Sequence, residues 1–373
     1  MFGTSLTGEG VMRRALELAE RGRGWVEPNP MVGAVLATRR EDGSYACVAE
    51  GWHAKHGGPH AEVAALEAAR VSGVDVSGLT MAVTLEPCGH EGKTPPCVKA
   101  LIDAGVSEVL IGTLDPSPAM NGRSAAALRD AGVAVTVGVC EADAAALIAP
   151  FAKRLATGMP WVIAKWAQTI DGKTATSTGD SQWISNAASR RLVHRWRGEV
   201  DAIMIGTGTV LADDPQLTAR DVQPKRVARR VVFDIAGHVS PAAKVYDVTQ
   251  APSTAIVAKG EEPGRPEGVD LLPLPVDIEG RVPLDDAMRE MVRRYDITNL
   301  MVEGGATLLG ELWRHMLLDE LRVFAAPKLL GDAEGRGAID GPRKRTIDEA
   351  TTWSLYRVGR IEDDVLLVYR KPA

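Results

Sequence analysis

The sequence lacks long apolar runs and has no excess of basic residues. No stretch reaches the roughly eighteen consecutive apolar residues that a membrane helix needs, and charges interrupt the first twenty residues before an apolar block of signal-peptide length forms. The formal net charge of −6 argues against a nucleic-acid binder that relies on a generally basic surface. We therefore expect a cytoplasmic protein with no membrane or nucleic-acid partner.

Cysteine is also scarce, with four in 373 residues. A long chain without an export signal should keep such thiols reduced, so we expect no disulfide framework. Low-complexity segments and repeats of 20–50 residues are absent from the sequence. The length exceeds what one hydrophobic core usually serves, and this favours two ordinary globular domains.

Alternating apolar strands and amphipathic helices predict a layered α/β sheet in the first half. Residues 61–69 predict a helix with Ala61, Ala64, Ala65 and Ala68 on one face. Residues 151–160 end in a Gly-Met-Pro turn and suggest a junction between domains at 1–150 and 161–373. The second half then repeats the α/β pattern, with apolar strands expected near 161–165, 200–205, 230–234, 254–257, 299–303, 321–327 and 364–369.

A metal-site pattern stands out in the first half. His60 and Glu62 begin the helix just described, Cys88 follows a proline at a strand end, and Cys97 begins the next helix. Zinc prefers nitrogen and thiolate ligands, and three of them leave one position for a water that the metal acidifies. A neighbouring glutamate can then carry the proton. Each residue alone is more often a cap or a small buried group, but together they predict a catalytic zinc site.

The motif HAE, followed by PC and a later cysteine, resembles the zinc-dependent nucleoside and nucleobase deaminase superfamily. Eight residues separate the two cysteines here, instead of the common two. That loop, with NPMVGAV, EGWH, EPCGHEGKTPPC and the Asp115-Pro116 turn, resembles the deaminase of riboflavin biosynthesis. The resemblance implies the zinc ligands His60, Cys88 and Cys97, the proton shuttle Glu62, and the substrate-pocket residues Asn29, His53 and Lys93.

The second half lacks a G-x-G-x-x-G fingerprint, since the nearest string, from Gly206 to Leu211, has no third glycine. The segment LMVEGGATLLGELW instead predicts a strand, a Gly304-Gly305 turn and a helix whose start could face an anion. The basic helix in RRLVHRWRGE has two interpretations. It could be a solvated face, or one arginine could bind a pair of phosphate oxygens through its guanidinium fork.

These segments, with AKWAQTIDGKTAT, DSQWIS and GTGTVLADDPQLTAR, resemble the reductase of the same pathway. That reductase has the dihydrofolate-reductase fold and binds NADPH without the fingerprint. The substrate residues that the resemblance implies are Lys165, Ser181, Arg197, Leu217, Arg220 and Glu303. The NADPH residues that it implies are Ala167, Trp183, Thr209, Asp213, Gly305, Ala306, Thr307, Leu308 and Leu309.

The combined resemblance implies an α/β protein with an N-terminal cytidine-deaminase-like three-layer domain and a C-terminal dihydrofolate-reductase-like α/β domain. Its function would be deamination of 2,5-diamino-6-ribosylamino-4(3H)-pyrimidinone 5′-phosphate, followed by NADPH-dependent reduction of the ribosyl group, in a homo-oligomer. One alternative is a nucleoside or tRNA adenosine deaminase with an unrelated C-terminal module, which the long cysteine loop and acidic charge disfavour. Another is a non-catalytic binding protein, in which Glu62 beside three ligands would have no use.

Overall fold

The computed structural model describes residues 5–89, 96–260, 264, 266–342 and 344–372. The chain forms two compact units, Met1–Thr157 and Gly158–Ala373, each with its own sheet and core. The predicted junction at 151–160 is helical as far as Thr157, because the last helix of the first unit continues past an internal proline, Pro150. A search of the described residues finds no helix long and apolar enough to span a bilayer.

The first unit has five helices and five strands among its described residues. The helices are α1 (Gly8–Ala19), α2 (Ala61–Val71), α3 (Cys97–Asp103), α4 (Arg123–Asp130) and α5 (Glu141–Thr157). The strands are β1 (Gly33–Arg39), β2 (Tyr45–Trp52), β3 (Thr80–Leu85), β4 (Glu108–Thr113) and β5 (Ala134–Val137).

These strands form one sheet in the order β2-β1-β3-β4-β5. Strand β1 runs antiparallel to both of its neighbours, whereas β3, β4 and β5 are parallel. One apolar core joins the sheet to α2, α3 and α4, and a second joins its other face to α1. Helices α1 and α2 approach the sheet closely because Gly33 and Gly51 carry no Cβ, which would clash with the helix backbone. The layers confirm the predicted three-layer domain.

Helix α2 differs in one respect from the expectation for its buried face. Ala61 and Ala65 are buried as predicted, but the other buried positions are Glu62 and Ala69, and Ala64 and Ala68 are only partly covered. The helix is therefore turned so that Glu62 faces inward. A helix packed by its alanines alone would have placed this carboxylate nearer to solvent.

The second unit has four helices and nine strands among its described residues. The helices are α6 (Ala187–Arg197), α7 (Thr207–Asp213), α8 (Leu284–Tyr295) and α9 (Ala306–Arg314). The strands are β6 (Trp161–Thr169), β7 (Ala202–Gly206), β8 (Arg229–Phe233), β9 (Ser253–Ala258), β10 (Asp270–Leu274), β11 (Asn299–Glu303), β12 (Glu320–Ala326), β13 (Ser354–Ile361) and β14 (Asp364–Arg370).

The nine strands form one sheet in the order β10-β9-β8-β7-β11-β6-β12-β14-β13. Strands β6 to β12 pair in parallel, and β14 and β13 add an antiparallel hairpin at one edge. The two strands that the sequence analysis did not predict, β10 and β13, are the edges of the sheet. Pro273 interrupts the pattern of β10, but an edge strand tolerates a residue without an N–H donor.

Parallel strands bring their carboxyl ends to a common edge, where ligands of open α/β sheets usually bind. In this unit the edge gathers the ends of β7, β8 and β11, together with Lys165 of β6. Helix α9 begins directly after β11, through Gly304 and Gly305. Both glycines have positive φ, at 79° and 81°, a conformation that other residues rarely adopt.

Candidate functional site

Three potential metal ligands of the first unit lie together. One ligand atom each from His60, Cys88 and Cys97 falls within a 4.8 Å cluster. The His60 Nδ1 atom is 3.3 Å from Cys97 Sγ and 3.5 Å from Cys88 Sγ. The structure thus brings together all three residues expected to bind zinc.

The start of helix α2 explains how His60 and Glu62 reach one site. His60 is the N-cap residue and has an extended backbone, with φ −69° and ψ 161°. Glu62 lies in the first helical turn and is 3 % exposed. Residues two apart within a helix face away from each other, but the extended N-cap removes that constraint. Their convergence was predicted from the position of HAE at a helix start.

The ligand distances fit a tetrahedral zinc ion. With Zn–N near 2.0 Å and Zn–S near 2.3 Å, neighbouring ligand atoms of a tetrahedron lie about 3.5 Å apart. The nitrogen–sulfur distances of 3.3 and 3.5 Å agree with this value. Two thiolates and one imidazole form a donor set that suits zinc, and three protein ligands leave the fourth position for water or substrate.

The two cysteines share a proton in an asymmetric way. The Cys97 thiol donates a hydrogen bond to Cys88, which lowers the pKa of Cys88 and raises that of Cys97. The backbone N–H of Cys97 also donates to Cys88 Sγ at 3.3 Å. Cys88 is therefore stabilised as a thiolate, the form in which cysteine binds metal.

Glu62 lies against the ligand cluster. Burial raises the pKa of its carboxyl group, and the group also interacts with Cys88, His60 and Cys97. A buried carboxyl group beside a water position can accept a proton and release it again, which general acid–base catalysis requires. The surroundings of Glu62 thus suit proton transfer at this cluster.

His53 and Asn29 border the same site. The His53 ring is nearly perpendicular to that of His60, with centroids 5.6 Å apart. Its Nδ1–H donates to the Pro59 carbonyl at 2.9 Å, so its Nε2 can accept from the Asn29 side-chain amide at 3.3 Å. Burial lowers the pKa of His53, which favours this neutral form. The third predicted pocket residue, Lys93, lies outside the described residues.

The sequence analysis did not single out Glu86, which fixes the strand end ahead of Cys88. Its buried carboxylate accepts four backbone hydrogen bonds, at 2.9–3.1 Å, from Asp115, Gly122, Ser124 and Ala125. Glu86 therefore ties the end of β3 to the start of helix α4. Its position in the TLEPC segment was a signal, because an acidic residue in an apolar strand end needs hydrogen-bond partners.

The second unit contains a cavity of about 1270 Å³ at the carboxyl edge of its sheet. The cavity is large enough for two ligands of nucleotide size. Its wall includes Lys165, Arg197 and Glu303 in one group, and Gly304 to Leu308 in another. It also includes residues that the sequence analysis did not single out, among them Phe233, Ile235, His238, Arg281, Asp285, Glu311 and Arg336.

A buried ion cluster forms part of this wall. The Arg197 Nε and Nη2 atoms donate to both carboxylate oxygens of Glu303, at 2.6 and 3.0 Å. Lys165 Nζ lies 3.6 Å from the same carboxylate. Burial alone would raise the pKa of Glu303, but Arg197 and Lys165 reverse this effect and lower it to about 2. The guanidinium fork that the sequence analysis considered for a phosphate is therefore directed at Glu303 in this structure.

Burial also lowers the pKa of Lys165, while the Glu303 carboxylate opposes that effect. With Arg197 and Glu303 both charged, a protonated Lys165 leaves the cluster with one net positive charge. An anionic group is the natural complement of such a cluster.

The glycine turn before α9 forms a second anion-binding element. The first N–H group of this helix with an intrahelical acceptor is that of Leu309, which bonds to the Gly305 carbonyl. The N–H groups ahead of it have no such acceptor. Gly305, Ala306 and Thr307 line the cavity at this point. Thr209 Oγ1 would lie 3.2 Å from a Cβ at position 305, so a larger residue would narrow the turn. The turn could hold a phosphate of a cofactor.

Most of the predicted reductase residues line this cavity. From the substrate set, these are Lys165, Ser181, Arg197, Leu217 and Glu303. From the NADPH set, they are Ala167, Thr209, Asp213, Gly305, Ala306, Thr307 and Leu308. Their individual roles in binding substrate or NADPH stay predictions.

Three predicted residues lie outside the cavity wall. Trp183 is 59 % exposed and stacks with Arg190, whose guanidinium carbon is 4.6 Å from the ring centroid. Arg220 is exposed and donates to the Gln216 side chain at 3.1 Å. Leu309 is buried in the apolar core and has already used its N–H within the helix. The position of Leu309 does not support its predicted contact with NADPH.

Comparisons with protein families cover most of both units. Residues 160–367 match the model of the RibD C-terminal domain. Residues 7–113 match the model of the cytidine and deoxycytidylate deaminase zinc-binding region. The second match contains His60, Glu62, Cys88 and Cys97, and the first contains the whole predicted reductase set.

Curated relatives and solved structures match along nearly the whole length. The riboflavin biosynthesis protein RibD of Escherichia coli is 39 % identical, covering 96 % of this chain and 98 % of the relative. That of Aquifex aeolicus is 37 % identical, covering 96 % and 97 %. A Thermotoga maritima structure, described as a diaminohydroxyphosphoribosylaminopyrimidine deaminase/5-amino-6-(5-phosphoribosylamino)uracil reductase, has a TM-score of 0.84 at 35 % identity, covering 98 % and 99 %. Acinetobacter baumannii RibD gives a TM-score of 0.81 at 34 % identity, again covering 98 % and 99 %.

Proposed function

Because this chain belongs to the RibD family of bifunctional riboflavin biosynthesis enzymes, we propose that it performs a deamination and a reduction on one phosphorylated pyrimidine. The first unit deaminates 2,5-diamino-6-ribosylamino-4(3H)-pyrimidinone 5′-phosphate. The second unit reduces the ribosyl group of 5-amino-6-(5-phosphoribosylamino)uracil to ribityl with NADPH. The observation that supports the first step most directly is the ligand cluster of 4.8 Å with Glu62 against it.

In the deaminase site, His60, Cys88 and Cys97 would hold zinc, which when bound activates the attacking water. Glu62 accepts a proton from that water and donates it to the departing amine. The carbon–nitrogen bond breaks and a carbon–oxygen bond replaces it. Ammonia departs, and the remaining ring is a uracil. Asn29 and His53 would orient the pyrimidine, since their hydrogen bond fixes the Asn29 amide at the edge of the site.

In the reductase site, NADPH when bound supplies the hydride that reduces C1′ of the open-chain imine form of the substrate, whose carbon–nitrogen double bond becomes single as the nitrogen takes up a proton. The turn at Gly305, Ala306 and Thr307 would bind its phosphates through backbone N–H groups. Lys165 and Arg197 would attract the substrate phosphate, with Glu303 keeping both cations in place. The remaining proposed substrate contacts are Ser181, Leu217 and Arg220, and the remaining proposed NADPH contacts are Ala167, Trp183, Thr209, Asp213 and Leu308.

Two further proposals concern the surroundings of the enzyme. A reducing cytoplasm would keep Cys88 and Cys97 as thiols that can bind zinc. A homo-oligomer would cover β13, an edge strand on which Leu355, Tyr356 and Val358 are all exposed. Exposed apolar edge strands are otherwise prone to unwanted pairing.

A coupled assay with the diaminopyrimidinone ribosylamino-phosphate tests the proposed function. Ammonia release and NADPH oxidation are followed in the same tube with zinc-loaded protein. We expect ammonia without NADPH, and NADPH oxidation only after ammonia has formed. Ammonia release without any NADPH oxidation would contradict the proposal for the second unit, and absence of both would contradict it for the whole chain.

A further inference from the structure

The second unit contains a fully buried arginine that takes no part in the proposed chemistry. Arg230 lies on β8 and is 0 % exposed. It belongs to the face of the strand that carries Val232, whereas its neighbour Arg229 lies on the opposite face over the Tyr295 ring. Burying a guanidinium is unfavourable unless its donors are satisfied, so its partners indicate what it does.

All of those partners are main-chain carbonyls. Nη1 donates to the carbonyls of Gln216 and Lys244, both at 3.3 Å. Nη2 donates to the carbonyl of Asp247 at 2.7 Å and to that of Ala251. Within the described part of the chain, Nε–H has no acceptor, and the Asp247 carboxylate is taken up by its own turn at Thr249. The guanidinium therefore joins two segments, 214–220 and 244–251, through their backbones.

The first of these segments forms part of the reductase cavity. Leu217, one residue after the Gln216 carbonyl, lines the cavity with a φ of 55°. A leucine in this left-handed region is strained by roughly 1–2 kcal/mol and persists only where its surroundings hold it. On the cavity side, Thr218 accepts a hydrogen bond from Arg197 Nη1 at 3.3 Å. The segment is thus held by Arg197 from the cavity and by Arg230 from the core.

We propose that Arg230 is a positioning residue of the reductase, which holds the 214–220 segment so that Leu217 keeps its place at the substrate end of the cavity. Arg230 touches neither substrate nor NADPH. Its contact with the Gln216 carbonyl fixes the backbone just before the strained residue, and its other three carbonyl contacts tie that point to 244–251. A side chain with fewer donors would release the segment. The proposal rests on the assignment of this cavity to the reductase reaction.

The primary test replaces Arg230 by lysine, which keeps the charge but loses the fork. Because the lysine variant loses at least two hydrogen bonds, we expect its KM for 5-amino-6-(5-phosphoribosylamino)uracil to rise roughly tenfold. The value of kcat, the KM for NADPH and the rate of ammonia release should stay within about twofold. Arg229→Lys is the matched control, since it changes the same residue type on the same strand but away from the segment. An unchanged substrate KM in Arg230→Lys would overturn the proposal. So would a variant in which kcat and the KM for NADPH worsen as much as the substrate KM.

A double-mutant cycle separates positioning from general stability. Glycine adopts a φ of 55° without strain. Leu217→Gly therefore removes both the leucine side chain and the backbone strain that Arg230 is proposed to hold in place. We expect the effect of Arg230→Lys on the substrate KM to be smaller in the Leu217→Gly background than in the wild type. Fully additive effects would contradict the coupling between the two residues.

Hydrogen exchange on the wild-type protein requires no variant to fold and no substrate to be turned over. If Arg230 joins the two segments, protected amides in 214–220 and in 244–251 should open together, with the same free energy and urea dependence. Independent opening of 214–220 would contradict the proposal. A wild-type enzyme that does not reduce the uracil substrate would instead contradict the proposed function, and independent opening of 214–220 would still contradict the role of Arg230.

Discussion

The two sites differ in how the chain builds them. The metal cluster of the first unit uses residues at two strand-to-helix junctions, and its ligand atoms lie within 4.8 Å of each other. The reductase cavity of about 1270 Å³ draws its wall from residues as far apart as Lys165 and Asp340. Hydrolysis requires a few atoms in a fixed arrangement, whereas hydride transfer requires two ligands to be aligned. The comparison predicts that damage to one site leaves the other working.

The largest effect should follow from loss of a metal ligand. Cys88→Ala removes one of the three proposed zinc ligands, so we expect zinc to be lost and ammonia release to become undetectable. Reduction of the separately supplied deaminated intermediate should remain within about twofold, because the reductase cavity contains none of these residues. Metal analysis and the two assays check this. Cys47→Ala is the control, since Cys47 is buried away from the cluster. Undiminished zinc in Cys88→Ala would exclude the assigned ligand.

A smaller effect is expected when the proposed proton carrier is removed and the metal is kept. Glu62→Gln preserves shape but cannot shuttle a proton, and general acid–base catalysis contributes about 10²–10⁴-fold. We expect ammonia release to fall by that factor, with zinc content and reduction unchanged. Glu67→Gln, an exposed change on the same helix, serves as the control. Normal deamination by Glu62→Gln would show that another group carries the proton.

The converse change is made in the reductase cavity. Glu303→Gln removes the carboxylate between Arg197 and Lys165, so two cations lose their partner. Charge-assisted hydrogen bonds contribute about 1.5–3 kcal/mol each, so kcat/KM for reduction should fall roughly 10- to 100-fold. Deamination should be unaffected. Glu290→Gln on the surface of α8 is the control, and an equal loss of both activities in Glu303→Gln would indicate that the sites are not separate.

The pH dependence of stability should also distinguish the second unit. The pKa of Glu303 is about 2 in the folded protein and close to 4.5 ordinarily. Its contribution is therefore complete above pH 4.5 and is lost as the pH falls from 4.5 towards 2. At pH 3.5 we expect the wild-type unfolding free energy to lose on the order of 1 kcal/mol that Glu303→Gln does not lose. Urea unfolding at pH 5.5 and 3.5 measures this, and an identical loss in the variant would contradict the buried ion cluster.

The smallest effect concerns a residue that the sequence analysis and the structure place differently. Leu309 was expected to contact NADPH but lies in the core. Leu309→Met should therefore leave the Kd for NADPH within about twofold, while the volume-conserving change costs under about 1.5 kcal/mol of stability. Fluorescence titration with NADPH checks it. A tenfold weaker Kd would restore the original assignment.

The deaminase site could be predicted closely because its geometry is local. An extended His60 ahead of a helix and Cys97 at the start of another follow from HAE and PPC in their strand and helix context. The four backbone groups that bond to Glu86 could not be predicted, because they lie about 30 to 40 residues later in the chain. Tertiary hydrogen bonds of this kind leave no periodic signal.

The reductase cavity was predicted less completely. The resemblance supplied Lys165, Arg197 and Glu303. It did not predict that the Glu303 carboxylate forms ion pairs with both Lys165 and the Arg197 guanidinium. Phe233 ends strand β8, and His238 and Arg281 come from loops, and none of the three belongs to a recognisable motif that would have selected it. Strand β10 was missed because Pro273 argues against a central strand, and its place at the edge depends on the whole sheet.

On this account, one chain carries two separable sites. The most direct test mixes two variants, each altered in a different site. Glu62→Gln keeps the reductase, and Lys165→Met, which removes a cavity cation, should keep the deaminase. Neither variant alone should convert the diaminopyrimidinone ribosylamino-phosphate to the ribityl product. We predict that an equimolar mixture releases ammonia and then oxidises NADPH, because the intermediate can pass between proteins in solution. A mixture that forms no ribityl product, although each protein retains its remaining activity, would contradict the account.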